Sequence, residues 1–230
     1  MKFENALIVG SGPGLSASLA RLFAANDIDV SLAARSTAKL IELCEETGAT
    51  AVQCDASDEK DVERLFKTLA AQGKLPDLVV YNAGGYTRGP VTDLDLNAVR
   101  DTLKSTAFGA LVVAQQAAKV MLDKGRGALL FTGASAGVKG YAQSAPFAMG
   151  KFALRGLCQS LARELAPSNI HVAHFVIDGC IYQPERGSPF DDLDTTLHAE
   201  EIAKTYFEIA KQDRSAWTWE VELRPFSENF

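Results

Sequence analysis

Apolar and polar positions along this chain fall into a repeating order, a short apolar run followed by an amphipathic stretch of helical period. The first run, Ala6-Leu-Ile-Val, ends at Gly10, and a helical pattern carried by Leu15, Leu19, Leu22 and Phe23 begins near Gly14. Asp29–Ala34 predicts a second strand, with Thr37 placed to cap a helix running toward Gly48. Thr50–Cys54 predicts a third strand. From Asp58 a helix follows with Val62, Leu65, Phe66 and Leu69 on one face and an acidic first turn suited to its dipole. Leu78–Tyr81 is a fourth strand, Asp95–Leu122 one long helix, and Ala128–Phe131 a fifth strand. A helix over Ala145–Ala166 carries the stripe Leu154, Leu157, Leu161 and Leu165. Ile170–Ile177 predicts a sixth strand, Ala199–Lys211 a helix, and the alternation over Trp217–Leu223 a last strand.

Strands alternating with helices imply an α/β architecture, a Rossmann-type, doubly wound and mostly parallel sheet of about seven strands covered on both faces. The pattern shows no repeat and no linker, so residues 1–230 are expected to form one domain. The loop over 180–198, rich in Pro, Gly and Asp, is expected to border a substrate. In such sheets the ligand crevice lies beyond the strand C-termini, at the point where the winding reverses. Gly10–Gly14, Arg35, Asp55, Asn82–Gly84, Ser135 and Asp178-Gly179 all fall at predicted strand C-termini, and so at one edge.

Bulk properties narrow the partners. A formal net charge of −6 argues against a general nucleic-acid binder. No run reaches the roughly 18 apolar residues of a membrane span. With a first strand that starts almost at once, no signal peptide is expected. Cys44, Cys54, Cys158 and Cys180 are scattered and match no zinc spacing, and no other group suggests a metal. A reduced, cytoplasmic protein is expected.

The glycines at 10, 12 and 14 permit backbone angles barred to other residues. They also let a pyrophosphate approach the main chain at a helix N-terminus, whose free amides attract an anion. An ordinary turn has the same spacing. Arg35 stands where a carboxylate would meet a ribose 2′-hydroxyl; a guanidinium suits a 2′-phosphate instead, or is a solvated surface group.

Together, Gly10-x-x-x-Gly14-Leu15, Asp55, Asn82-Ala83-Gly84 and Phe147-Ala-Met-Gly-Lys151 make the chain resemble the short-chain dehydrogenase/reductase family over nearly its whole length. Asp178-Gly179 occupies the place where that family usually has Pro-Gly. The resemblance implies an oxidoreductase holding a nicotinamide dinucleotide, with NADP(H) favoured over NAD(H) by Arg35. It implies contacts from Gly10, Ser11, Gly12, Gly14 and Leu15, from Arg35 and Ser36, and from Asp55 and Ala56. Asn82, Ala83, Gly84, Lys151, Asp178, Gly179 and Ile181 complete the implied set. It also implies a homodimer or homotetramer built on the two long helices.

The departures are chemical. The family's third turn glycine is Ser16, and its proton-donating tyrosine falls at Phe147. Its helix asparagine falls at Thr106, and its serine nearest Ala134, with Ser135 one residue away. Of the four catalytic positions only Lys151 is retained. A phenyl ring cannot give a proton, so Lys151, a water on Ser135, or Tyr141 stand as replacements, Tyr141 also reading as a packing aromatic. Bland readings remain for Asp55 as a turn cap, Asn82–Gly84 as a plain turn, Lys151 as a surface lysine, and His171 and His174 as structural. Three functions remain: an NADP-dependent oxidoreductase for a small organic substrate that does without the usual tyrosine, a dinucleotide-binding sensor or oligomeric partner without turnover, or a methyltransferase or other nucleotide enzyme, which Arg35 disfavours.

Overall fold

Short runs bounded by turn residues become strands, the central ones buried on both faces and the two at the sheet's edges only partly buried. They are β1 (Asn5–Val9), β2 (Asp29–Ala34), β3 (Thr50–Gln53), β4 (Leu78–Tyr81), β5 (Gly127–Thr132), β6 (Ile170–Ile177) and β7 (Glu220–Leu223). In the computed structural model, which describes residues 2–228, they form one sheet in the order β3-β2-β1-β4-β5-β6-β7. Every neighbouring pair is parallel. The chain winds outward from β1 to β3, crosses back to β4, and winds the other way to β7. The reversal lies between β1 and β4, where Val9 and Tyr81 are register partners.

Helices cover both faces. On one, α1 (Leu15–Ala24), α2 (Ile41–Thr47) and α7 (Ala199–Lys211) bury Leu19, Phe23 and Tyr206 against Leu32, Leu130 and Phe175. On the other, α3 (Glu59–Ala71), α5 (Gly109–Lys124) and α6 (Ala145–Leu165) bury Phe66, Val113 and Leu154 against Leu7, Val79 and Phe131. Asp58 caps α3 by accepting from the Lys60 and Asp61 amides. Thr37 makes no such cap; a tight turn over Ala38–Leu40 leads into α2 instead. Among the described residues no helix is long and apolar enough to cross a membrane.

The stretch expected as one helix over Asp95–Leu122 is divided. The helix α4 (Leu96–Leu103) passes through a wide π turn, Lys104–Phe108, before α5 begins. The cause is local. The buried Tyr81 hydroxyl donates to the Ser105 carbonyl, and the Gly85 amide donates to Thr106 Oγ1 at 3.0 Å, so both neighbours bind the helix at this turn. A Cβ on Gly109 would stand 2.6 Å from the Ala56 carbonyl oxygen, so the helix passes close to the β3–α3 loop there.

The last strand is shorter than its alternation. Trp217 lies flat on His171, ring centroids 4.7 Å apart, and donates to the Gln212 carbonyl, while pairing begins at Glu220. Glu220 turns inward. It accepts two bonds from Arg155 on α6, at 2.6 and 2.7 Å, and one from His174 Nδ1 at 2.9 Å. Burial opposes the Glu220 charge, but the bonds from Arg155 and His174 outweigh it and hold the carboxyl below its usual range. Both histidines are structural in placement, and burial holds each below the ordinary imidazole value despite its hydrogen bond.

Those histidines set the acid response. An unfolded chain protonates them near pH 6.5 and the native one only at lower pH, so stability falls as pH drops below that. The slope reaches at most about 1.4 kcal/mol per histidine per pH unit. Urea midpoints measured from pH 7.5 to 5.5 are expected to decline, and His171→Phe, which keeps a ring on Trp217, to make the decline shallower. A midpoint independent of pH contradicts this.

Candidate functional site

Where the winding reverses, two strand ends meet without room for side chains. Gly10 has φ +85°, and a Cβ there would lie 2.4 Å from the Ala83 nitrogen. The Asn82 amide donates to the Val9 carbonyl at 2.8 Å, and Asn82 Nδ2 donates to Ser16 Oγ at 2.8 Å. Ser16 in turn reaches the Gly10 carbonyl at 3.3 Å. The serine in the third turn position thus ties the helix start to both strands. Gly14 precedes α1 with no side-chain cap, which leaves the first helical amides open to an anion. The Ser11 hydroxyl donates to the Ile8 carbonyl at 2.8 Å and its amide to the Ala33 carbonyl at 3.0 Å, so this residue is held within the turn.

A cleft of about 570 Å³ opens from this point along the C-terminal edge of the sheet. Gly10, Ser11, Arg35, Asp55, Ala56, Asn82, Ala83 and Gly84 line it, which brings together eight of the residues expected from the sequence. Gly12, Gly14 and Leu15 continue the turn but are not in the cleft's lining, the Leu15 side chain packing into the core instead, and Ser36 stands exposed outside the lining. Lys39 joins Arg35 in the wall, its Nζ 3.9 Å from where a Gly12 Cβ would stand, so two cations face one end. Asp55 does two things: it accepts from the Ser57 amide and hydroxyl at 2.9 and 2.7 Å, and it lines the cleft.

A second cavity of about 270 Å³ shares Asn82, Gly84 and Gly85 with the first. Its walls are Tyr86, Thr132, Gly133, Ala134, Phe147, Lys151, Ile177, Gly179 and Ile181. Phe147 and Lys151 are one turn apart on α6, so both face this space. Lys151 Nζ donates to the Thr132 carbonyl at 2.8 Å and lies 5.9 Å from the Phe147 ring centre. Burial without a carboxylate partner pushes its pKa down to about 8. Thr106 is fully buried behind Gly84 and Gly85 and accepts from the Gly85 amide. Ala134 forms the wall beside it, whereas Ser135, which starts a short turn, does not line the cavity. Tyr141 is outside as well, beside Lys139, because the loop carries it past the rim. Asp178 is buried beneath the rim and pairs with Lys139 at 3.4 Å.

Three neighbours were not anticipated. Lys39 lies four residues past Arg35, in the tight turn before α2, and its charge was the available signal. Gln183 sets its side-chain amide against Gly14, 2.8 Å from a Cβ position, and the irregular loop that carries it has no readable period. Tyr86 follows the Asn82–Gly85 turn directly and packs edge-on against Phe147, ring centroids 5.0 Å apart.

The profile of the family described as short chain dehydrogenase matches residues 4–182. A short-chain dehydrogenase reductase of Arabidopsis thaliana is 32% identical over 174 residues, 74% of this chain and 64% of that protein. A mitochondrial borneol dehydrogenase of Lavandula x intermedia is 28% identical over 170 residues, 73% of this chain and 65% of that one. The chain thus spans just under two thirds of the length of these curated relatives. A short-chain dehydrogenase from Rhodopseudomonas palustris superposes with a TM-score of 0.83 at 30% identity, covering 97% of this chain and 99% of that one.

The lysine is the most testable feature of the geometry. In protein labelled with ¹³C-lysine, Lys151 is expected to show its own titration near pH 8, below the ordinary lysine value. The separate transition should vanish in Lys151→Met. A wild-type lysine population titrating together contradicts the buried placement.

Proposed function

The chain belongs to the short-chain dehydrogenase family, and on that premise we propose that it is an NADP-dependent oxidoreductase acting on a small organic substrate without the family's usual tyrosine. The observation that carries this reading is the cradle at the switch point. Backbone closes on backbone at Gly10 and Ala83, an uncapped helix start lies beside it, and a cleft runs from there to a second, mostly apolar cavity. These features fit a dinucleotide: the amides of the first turn for its pyrophosphate, Asp55 and Ala56 along its adenosine half, and Arg35 with Lys39 at a 2′-phosphate. Lys151 suits the hydroxyls of the nicotinamide ribose, and Asn82–Gly84 lets that half lie against the chain. Gly179, Ile181 and the loop over 180–198 border the substrate side.

A bound nicotinamide supplies or takes a hydride. The protein's own task is to orient the acceptor and manage the charge that hydride addition leaves. Phe147, aligned with the family's tyrosine, cannot protonate an alkoxide. An activated alkene, an iminium or a quinone suits such a wall, because its reduction ends in a stabilised anion or a neutral product. The four free cysteines favour a reduced compartment, and we place the protein in the cytoplasm. Exposed Phe108 and Leu111 on α5 and its approach, with Met149 and Phe152 on α6, support a homodimer or homotetramer.

The absence of a hydroxyl at Phe147 and Ala134 also favours a second reading, binding of the dinucleotide without redox turnover. A screen of conjugated acceptors with NADPH separates the two: turnover supports the enzyme, and binding without turnover supports the sensor. Calorimetry tests the cofactor preference on its own. NADP is expected to bind at least about tenfold more tightly than NAD, and an Arg35→Ala, Lys39→Ala double variant to lose most of that preference, as charge-assisted bonds are worth about 1.5–3 kcal/mol. Equal affinities in the wild type contradict the preference.

A further inference from the structure

We propose that Tyr86 is the proton donor of this site, a phenol reaching the substrate cavity from the β4–α4 loop instead of from α6. The proposal rests on reading the second cavity as the place of hydride transfer. It answers what that reading leaves open, namely where a proton comes from when the wall at position 147 is a phenyl ring.

The geometry separates Tyr86 from its rivals. Tyr86 lines the cavity, whereas Tyr141 and Ser135 do not. Lys151, the other group with a proton to give, lies with Thr132 at the cavity wall, directed by its bond to that carbonyl. The Tyr86 ring stands edge-on to Phe147 at 5.0 Å, so the two aromatics form one wall and the hydroxyl is carried by the member that is two-thirds exposed. Arg88 Nη1 donates to the Tyr86 oxygen at 3.2 Å. That bond occupies an oxygen lone pair and leaves the O–H free to donate. It also sets a positive charge where negative charge remains once the proton has gone. A phenol beside a cation is thus present at this cavity, on a different element from the lysine.

The step balances with a reduced nicotinamide dinucleotide as reductant. The carbonyl carbon of the acceptor gains the hydride and its electron pair, the C=O π bond breaks, and the oxygen takes the Tyr86 proton. The acceptor becomes an alcohol and the dinucleotide is oxidised. The exposed phenolate recovers a proton from water. The acceptor class therefore widens from conjugated systems to small aromatic ketones and diketones, whose apolar part faces Phe147, Ile177 and Ile181.

The test uses 1-phenyl-1,2-propanedione and 9,10-phenanthrenequinone as probes, with Tyr86→Phe, which removes one oxygen and keeps the ring on Phe147. Calorimetry of the diketone with the NADP⁺ complex is expected to show about fivefold weaker binding in Tyr86→Phe, with NADP⁺ affinity unchanged within twofold. NADPH-dependent diketone reduction is expected to fall at least about tenfold in kcat. Arg88→Gln should show a smaller loss. Diketone affinity and rate both equal to wild type overturn the proposal, as does weaker binding with an unchanged rate, which marks Tyr86 as a wall only. Quinone turnover without diketone turnover in the wild type overturns it while leaving the oxidoreductase reading intact. Failure of NADP⁺ to bind removes that reading and this proposal together.

Discussion

The closeness of two strand ends is the constraint from which the site follows. At the reversal of winding, Gly10 lies so near Ala83 that a single methyl carbon would fall 2.4 Å from a backbone nitrogen. The sheet can bring its two halves together there only because one partner lacks a side chain. The contact is then locked by polar bonds, Asn82 to the Val9 carbonyl through its backbone and to Ser16 through its side chain. The helix start, the strand ends and the mouth of the cleft are held as one unit. The family's proteins bind nicotinamide dinucleotides, and the unit formed here has the open amides and missing side chains that such a ligand requires.

Away from that unit the chain treats its chemistry differently from its backbone. The π turn over Lys104–Phe108 is held by Tyr81 and Gly85, and it brings Thr106 behind the two glycines of the cavity wall. Lys151 is kept by the Thr132 carbonyl. One turn farther along α6, Arg155 is clamped by Glu220, which also holds His174. Helix α6 is therefore fixed to the sheet at the lysine and one turn beyond it, while Phe147, one turn before, packs on Tyr86 of the β4–α4 loop.

Much of this was legible in the sequence because it is written in period and spacing. Strands β1 to β6 follow from apolar runs bounded by turn residues, and the crevice follows from Gly10, Arg35, Asp55 and Asn82 all ending strands. What was not legible depends on partners distant in sequence. The break in the Asp95–Leu122 pattern is set by Tyr81 and Gly85, which no helical periodicity reports. The alternation from Trp217 starts pairing only at Glu220, because Trp217 is taken by His171. Ser135 and Tyr141 are chemically apt yet fall off the cavity, while Tyr86 reaches it through a loop whose course only the fold reveals.

The central claim, that the reversal of winding seats a dinucleotide, is tested most directly by following backbone amide resonances while NADP⁺ is titrated into the full chain. Perturbations concentrated at Gly10, Gly12, Leu15, Asn82 and Gly84, saturating together and absent in Gly10→Val, are the result this account predicts. Unmoved amides at those positions at millimolar dinucleotide, or shifts confined to another face of the sheet, contradict it.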